Sequence, residues 1–230
     1  MDYEQKLEDF YKKLDLDGQT IVDVGAHTGR HTMPLARLVG VSGVVYAFEP
    51  IPQIRLNLSE NIISNELNNV VIFPFALSNK RGVSDFIYVP NLPEESGLKE
   101  RKIYNGKPTG VRVLKVSIIK LDDLITNKNK IGFIKIDVEG GELDVLQGAK
   151  STLIKSRPIV TFECGASSFL GYHNSPEKIF HMFIEMDYRI YSILGNEIFD
   201  EATFIEACHA QIYWDYIALP SEKNWVANLI

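Results

Sequence analysis

The ten residues from Ile21 to Arg30 constrain the fold of this chain more than any other stretch. The run Thr20 to Val24 is rich in β-branched residues and lacks polar alternation, which is typical of a buried parallel strand. Gly25 and Gly29 follow, and because neither carries a Cβ, the backbone can turn sharply and approach a ligand closely. A helical pattern comes next, and its free N–H groups would point at that ligand. The stretch therefore predicts a strand–turn–helix unit that binds an adenosine-containing molecule.

Two other glycine motifs are excluded at this turn. A dinucleotide fingerprint needs glycine at its first, third and sixth positions, whereas here those positions hold Gly25, His27 and Arg30. A phosphate-binding loop needs Gly-Lys followed by Ser or Thr, but Gly106-Lys107 precedes Pro108. An acidic residue, Glu49, closes the next predicted strand at a spacing suited to binding ribose hydroxyls. The pattern indicates an adenosyl ligand without phosphates, namely S-adenosyl-L-methionine.

Composition narrows the class of protein further. The chain has 230 residues, of which 23% are charged, and we expect one α/β domain over 1–230. A net charge of −6 argues against nucleic acid as a partner, since phosphate binding depends on Lys and Arg. Cys164 and Cys208 fit no metal-binding spacing, so we expect small buried thiols. No apolar run is long enough for a membrane span, and a cytoplasmic location is the default expectation.

The chain alternates predicted strands and helices, with one interruption. Residues 1–16 predict an amphipathic lead-in helix that covers one end of the sheet. Residues 79–115 break the alternation, and we interpret them as an antiparallel strand insertion over one sheet edge. Further elements are predicted as follows: strands at 43–48, 70–75, 131–136 and 159–162, a closing strand pair at 188–194 and 211–219, and helices beginning near Thr32 and spanning 54–65, 140–153 and 176–186.

The predicted strands end in residues suited to a ligand site, because open α/β sheets bind ligands at the carboxyl ends of their strands. Asp137 and Glu139 are the candidate catalytic groups, since a carboxylate can orient or deprotonate an attacking hydroxyl. Glu139 has an alternative interpretation, in which it caps the following helix. The expected cofactor contacts are Asp23, Gly25, Ala26, His27, Gly29, Glu49, Pro50, Ala76 and Asp137.

Six short motifs together resemble the FkbM-type family of S-adenosylmethionine-dependent methyltransferases. They are Val22-Asp23-Val24-Gly25-Ala26, Phe48-Glu49-Pro50, Asn61, Ala76-Leu77-Ser78, Leu121-Asp122-Asp123-Leu124 and Lys135-Ile136-Asp137-Val138-Glu139-Gly140. The resemblance runs from about Ile21 to about Phe162. It implies a Rossmann-like seven-stranded class I sheet with an antiparallel last strand, and methylation of a hydroxyl on a sugar, glycan or natural product. The sequence departs from the family in two places: His27 stands where Asn is usual, and Gly141 where Ala is common.

Alternatives to that function remain open. Asp137 with Glu163 could hold a divalent metal, as in metal-dependent small-molecule O-methyltransferases. Hard cations want several oxygen ligands, however, and Glu163 is followed by Cys164 and Gly165, so we expect metal-independent chemistry. A non-catalytic scaffold that binds S-adenosylmethionine is a further possibility.

A loop at residues 165–176 is the predicted acceptor side of the site. It combines glycines with Ser167, Ser168, Tyr172, His173 and Asn174, and Ser175-Pro176 predicts a helix start that anchors its far end. Loops of this kind often cover ligands. We expect a lid in which His173 contributes to catalysis on a hydroxyl-bearing small molecule or glycan, with the oligomeric state left open.

Overall fold

A computed structural model describes residues 2–99, 107–125, 130–165, 169, 171–172, 174–195, 197–198 and 200–223. The elements, in chain order, are α1 (Tyr3–Tyr11), β1 (Thr20–Val24), α2 (Thr32–Leu38), β2 (Val44–Phe48), α3 (Pro52–Ser64), β3 (Val70–Phe73), β4 (Phe75–Leu77), β5 (Gly82–Tyr88), a 3₁₀ turn (Pro93–Glu95), β6 (Arg112–Ile119), α4 (Leu121–Leu124), β7 (Ile131–Ile136), α5 (Glu142–Gly148), α6 (Lys150–Ser156), β8 (Ile159–Glu163), α7 (Pro176–Glu185), β9 (Tyr188–Ser192), β10 (Glu197–Ile198), α8 (Glu201–His209) and β11 (Asp215–Pro220).

The main sheet has the order β10-β9-β11-β8-β7-β1-β2-β3. Strands β3, β2, β1, β7 and β8 are parallel neighbours, whereas β11 runs antiparallel to both β8 and β9. Apart from the two-residue edge strand β10, these seven strands confirm the predicted class I arrangement with its antiparallel last strand. The break in strand order around β1 leaves a crevice at the carboxyl ends of the parallel strands, where ligands bind in such folds.

The core lies on both faces of this sheet, because every residue of β1 is buried. Ile21 and Phe133 belong to the cluster that packs against α1 and α2. Val22 and Ile134 point to the other face, where residues of α5, α6, α7 and α8 complete a second cluster. The near-continuous apolar sequence of β1 and β7 follows from this double coverage.

The predicted insertion at 79–115 contributes β5 and the first half of β6 to a separate sheet with the order β4-β6-β5. β5 and β6 pair antiparallel over seven residues, as the sequence predicted, while β4 joins β6 in parallel. The single strand predicted at 70–75 was wrong in one respect, since it divides at Pro74 between β3 and β4. Proline has no N–H to donate to a strand ladder, so the chain changes sheets there.

Other sequence predictions also needed correction. The helix predicted at 140–153 divides into α5 and α6 around Ala149. Gly148 ends α5 against the chain after β4, where a Cβ would lie 2.1 Å from the Ser78 carbonyl oxygen. The sequence interpretation missed α8 and β10. Among the described residues, no helix is both long and apolar enough to cross a membrane.

Candidate functional site

A cavity of about 190 Å³ opens at the carboxyl ends of β1, β2 and β7, next to the insertion sheet. It brings together residues predicted from separate motifs. The predicted site residues that line it are Asp23, Gly25, Ala26, His27, Glu49, Pro50, Ala76, Asp137 and Glu139.

One described site residue among those predicted, Gly29, does not belong to this lining. A Cβ on Gly29, whose φ is +97°, would lie 2.8 Å from Leu58 Cδ1, so this glycine packs against α3. Asn61 of α3 also holds the turn in place, because its side-chain amide donates a hydrogen bond of 2.8 Å to the Thr28 carbonyl. His173 lies outside the described residues, as do Ser167 and Ser168.

The turn after β1 requires glycine at position 25 for a steric reason. Gly25 has φ +80°, and a Cβ on it would lie 1.9 Å from the Asp137 carbonyl oxygen. The backbone N–H groups of Gly25 and Ala26 both donate to the Phe48 carbonyl, at 3.2 and 3.0 Å. The turn is therefore held between the ends of β2 and β7, which places all three strand ends around one cavity.

Glu49 ties this turn to the start of α3. Its two carboxylate oxygens accept hydrogen bonds from the backbone N–H groups of His27, at 3.0 Å, and Ile51, at 2.8 Å. The side chain is only 4% exposed, and this burial raises the pKa of Glu49 to about 7 despite both hydrogen bonds. Each oxygen retains a further lone pair that a ligand hydroxyl can use.

Lys135 is a site residue that the sequence analysis did not single out. The register of β1 and β7 sets Asp23 beside Lys135, and the lysine Nζ lies 3.7 Å from Asp23 Oδ1 and 3.2 Å from Asp137 Oδ2. Burial would lower the pKa of this ammonium, but the Asp137 and Asp23 carboxylates raise it above its usual value. The sequence could have pointed to Lys135, because it is the one charged residue in the otherwise apolar strand β7. Lysine is almost never buried unless it is paired, so a charge partner was to be expected.

The residues after β7 form a strained turn that faces the cavity. Glu139 has φ +62° and Gly140 has φ +103°. The interpretation of Glu139 as a helix cap is wrong, because Gly141 occupies the cap position of α5. Glu142 stabilises the turn instead, accepting hydrogen bonds from the N–H groups of Gly140 (3.1 Å) and Val138 (3.3 Å). Glu139 is thus left at the cavity wall.

Helix α1 was predicted only to cover one end of the sheet, but it also contributes a residue to the cavity. Glu4 lines the cavity and pairs with His31, whose Nδ1 lies 3.0 Å from the Tyr11 hydroxyl. The hydrogen bond with His31 lowers the pKa of Glu4 to about 2. Arg30, another lining residue, pairs with Glu8. These contacts fasten α1 against the start of α2.

Among its described residues the lining is acidic, with six carboxylate residues against two cationic ones. The former are Glu4, Asp23, Glu49, Glu94, Asp137 and Glu139, and the latter are Arg30 and Lys135. His27 Nε2 and Asp23 Oδ1 are buried without a hydrogen-bond partner among the described residues. Buried polar atoms normally find a partner, so these two atoms indicate where a polar ligand would bind.

One group of carboxylates has the geometry of a cation site. Asp137, Glu139 and Glu163 each offer an oxygen, and these oxygens all lie within 4.8 Å of one another. The structure thus brings Glu163 to Asp137, the pair that sequence analysis weighed as metal ligands. Hard cations need more than three oxygens, so water or substrate would supply the rest.

Comparison with known proteins identifies the family. The profile of the "Methyltransferase FkbM domain" matches residues 23–206, which is most of the chain. The chain belongs to the FkbM methyltransferase family. Relatives of this FkbM protein include Methyltransferase sdnD of Sordaria araneosa, 30% identical over 62% of this chain and 66% of the relative. The 2-O-methyltransferase NoeI of Sinorhizobium fredii (strain NBRC 101917 / NGR234) is 27% identical over 64% of each chain. The match thus spans slightly less than two thirds of these curated relatives.

Solved structures support the fold of this FkbM-family chain. An FkbM methyltransferase from Methylobacillus flagellatus KT aligns with a TM-score of 0.55 and 16% identity, over 90% of this chain and 45% of that one. An S-adenosylmethionine-dependent O-methyltransferase from Thermotoga maritima aligns with a TM-score of 0.51 and 13% identity, over 97% and 66% of the two chains. At these identities, the likeness shows the class I methyltransferase fold.

Proposed function

We propose that the protein is an S-adenosylmethionine-dependent O-methyltransferase that acts on a hydroxyl of a sugar, glycan or other natural product. The observation that carries this proposal is the position of Glu49, a buried carboxylate at the end of β2 that lines the cavity beside the glycine turn. Family membership supports methyl transfer, and the relative NoeI carries a 2-O-methyltransferase name. We therefore propose S-adenosylmethionine as the methyl donor and a glycan hydroxyl as the methyl acceptor.

The lining residues fit this cofactor in three regions. Glu49 would accept hydrogen bonds from the two ribose hydroxyls, and the apolar side chains of Ile51 and Phe86 would contact the adenine. The amino-acid end would lie near His27 and Asp23, where His27 Nε2 and Asp23 Oδ1 make no hydrogen bond with any described residue. An acidic cavity also suits a cation, since opposite charges attract strongly at a partly buried site.

The cofactor, when bound, supplies an electrophilic methyl group. The chain's own residues must hold the acceptor oxygen in line with that methyl, which is the main requirement of a displacement reaction. We assign the hydroxyl proton to Asp137 or Glu139, because both carboxylates line the cavity. Lys135 positions the Asp137 carboxylate from the buried side through its ion pair.

A metal-dependent O-methyltransferase is the second candidate, favoured by the three converging carboxylates. A divalent cation there would orient the acceptor hydroxyl and lower its pKa. Dialysis against a chelator, followed by addition of Mg²⁺, separates the candidates. Loss of turnover that only Mg²⁺ restores would replace the metal-independent mechanism.

Two measurements test the main proposal. Calorimetry should show binding of S-adenosylhomocysteine, and Glu49→Ala should weaken it about tenfold or more, since a hydrogen bond to a charged group contributes roughly 1.5–3 kcal/mol. Incubation with methyl-labelled S-adenosylmethionine and a panel of glycans should then move the label to one acceptor. Absence of cofactor binding contradicts the proposal, and binding without transfer to any acceptor would favour the scaffold.

The predicted lid over residues 165–176 and the role of His173 stay predictions, as does a cytoplasmic location. Of the described loop residues, Tyr172 is partly buried, and Asn174 donates a hydrogen bond of 2.7 Å to the Gly140 carbonyl. The loop therefore contacts the turn that bears Glu139. We expect His173→Ala to raise the Michaelis constant for the acceptor or lower turnover without changing cofactor affinity.

A further inference from the structure

A second cavity lies beside the first, and lysines rather than carboxylates dominate its charge. Its volume is about 440 Å³. Three separate segments contribute Lys80, Lys99 and Lys178, whereas Asp144 is the single acidic residue among the described residues of its lining. In the part of the lining that the structure describes, three positive charges against one negative leave an excess of two, in a chain whose net charge is −6. The cavity therefore favours an anion where the rest of the molecule disfavours one.

Neutral polar groups complete this cavity and are held in place. The Asn79 amide donates to Asp144 Oδ1 at 3.1 Å and to Gln147 Oε1 at 2.9 Å. Burial raises the pKa of Asp144, while the nearby charges of Lys80 and Lys99 act to lower it. Both ammonium groups are thus within electrostatic reach of the same carboxylate, and together they face one space.

Tyr172 separates the two cavities. A Cβ on Gly97 would lie 3.5 Å from the Tyr172 hydroxyl oxygen and 3.6 Å from Glu139 Cβ, and a Cβ on Gly141 would lie 3.6 Å from Tyr172 Cε1. Glu139 and Gly141 line the first cavity, whereas Tyr172 lines the second. A single aromatic ring therefore lies between the candidate catalytic carboxylate and the lysines.

The hydroxyl of Tyr172 is itself a candidate contact. It lies near the backbone N–H groups of Leu98 and Lys99, but it is buried and meets hydrogen-bond geometry with none of the described residues. Both of these groups are donors, so a polar ligand can still accept a hydrogen bond from the Tyr172 hydroxyl. The ring also offers an apolar face of the kind that Tyr presents at binding sites.

We propose that the second cavity binds an anionic group, a carboxylate or phosphate, carried by a sugar-like acceptor whose hydroxyl reaches Glu139 past Tyr172. The proposal rests on the proposed methyltransferase function and adds the charge of the substrate. Lysine ammonium groups bind such oxyanions as compact point charges. The amides of Asn79, Gln147 and Asn174 would take the remaining hydroxyls.

The test compares the binding of three small probes by saturation-transfer NMR titration at low salt, with and without S-adenosylhomocysteine. We expect glucuronate or glucose 6-phosphate to bind at least about tenfold more tightly than neutral glucose, and the tighter anion identifies the group. The double variant Lys80→Met/Lys99→Met should lose that preference while its affinity for S-adenosylhomocysteine stays unchanged. A matched control, Lys150→Met/Lys155→Met, removes two exposed charges from α6, outside both linings.

The possible results distinguish failure of the anion site from failure of the proposed methyltransferase function. Equal binding of glucose and both anions, no saturable binding of either anion, or a preference that survives in Lys80→Met/Lys99→Met overturns the anion site. An unchanged preference in the control variant, together with its loss in the cavity variant, supports it. If S-adenosylhomocysteine fails to bind the unmodified protein, the methyltransferase proposal fails by itself, and the titration without that ligand still decides the anion site.

Discussion

Protonation of Glu49 should control how tightly the protein binds its cofactor. Burial raises the pKa of this carboxyl from 4.5 to about 7 in the ligand-free protein, which corresponds to roughly 3 kcal/mol of preference for the neutral form. Ribose hydroxyls that donate to Glu49 stabilise the ionised form and would lower that pKa again. Binding therefore releases a proton near neutral pH, so the affinity for S-adenosylhomocysteine should rise about tenfold from pH 6 to pH 8.

The assay is calorimetric titration with S-adenosylhomocysteine at several pH values. Glu49→Gln should bind more weakly and lose most of the pH dependence, because it removes the titrating group. The matched control is Glu142→Gln: burial also raises the pKa of Glu142 to about 7, but this residue is not part of the cavity lining. That variant should keep the pH dependence. A pH-independent affinity in the unmodified protein, or one whose slope persists in Glu49→Gln, would refute the assignment of Glu49 to the ribose.

The raised pKa of Glu49 also affects protein stability, but in the opposite direction to its effect on cofactor affinity: stability should fall as pH rises. The folded protein holds a proton on Glu49 and Glu142 at pH values where the unfolded chain has lost it. Their contribution is therefore complete below pH 4.5, and the free energy of unfolding should fall as pH rises from 4.5 to 7. Urea unfolding of the ligand-free protein at pH 5 and pH 7.5 measures this change, and Glu142→Gln should reduce it.

Three further predictions concern single residues. Lys135→Met should destabilise the protein by about 3 kcal/mol in urea unfolding, because it leaves the buried Asp23 and the half-buried Asp137 without their cation. Lys135→Arg should lose less, and an unchanged unfolding midpoint in Lys135→Met would contradict the ion pair. Gly25→Ala should abolish cofactor binding measured by calorimetry, since its Cβ would lie 1.9 Å from the Asp137 carbonyl oxygen, and near-normal affinity would show that the turn is not held as described. Glu139→Gln should lower turnover by about 10²–10⁴ while cofactor affinity stays within a few-fold, and full turnover in this variant would leave Asp137 as the proton acceptor.

The central strands and the turn between them were predictable because each depends on local sequence. A buried parallel strand needs a continuous apolar run, which β1 and β7 both show, and the turn needs glycine at a position with positive φ. The placement of Glu49 and Asp137 at strand ends followed from the same reasoning. What the sequence could not show is that Gly25 contacts the Asp137 backbone directly, since that contact depends on how two distant strands pair.

Features that depend on long-range contacts were missed or mistaken for the same reason. Glu142 rather than Glu139 supports the turn after β7, although both are acidic residues near the start of the same helical pattern. Cys164 and Cys208 are buried as predicted, yet their sulfur atoms lie 2.8 Å apart, which a separation of 44 residues gave no sign of. The contribution of Glu4 to the cavity likewise depends on how α1 docks.

The buried Lys135 is compatible with a cavity that should attract a cationic cofactor. An isolated ammonium in this position would repel a sulfonium, but Lys135 lies between Asp23 and Asp137, so the three groups together keep one negative charge. Lys135 therefore neutralises one of the two carboxylates beside the cavity, and its ion pairs hold both of them in place. Glu139 adds a second negative charge at the cavity wall, nearer the proposed acceptor. Attraction of the cationic cofactor would thus come from the group of Asp23, Lys135 and Asp137, whereas Glu139 would act on the acceptor hydroxyl.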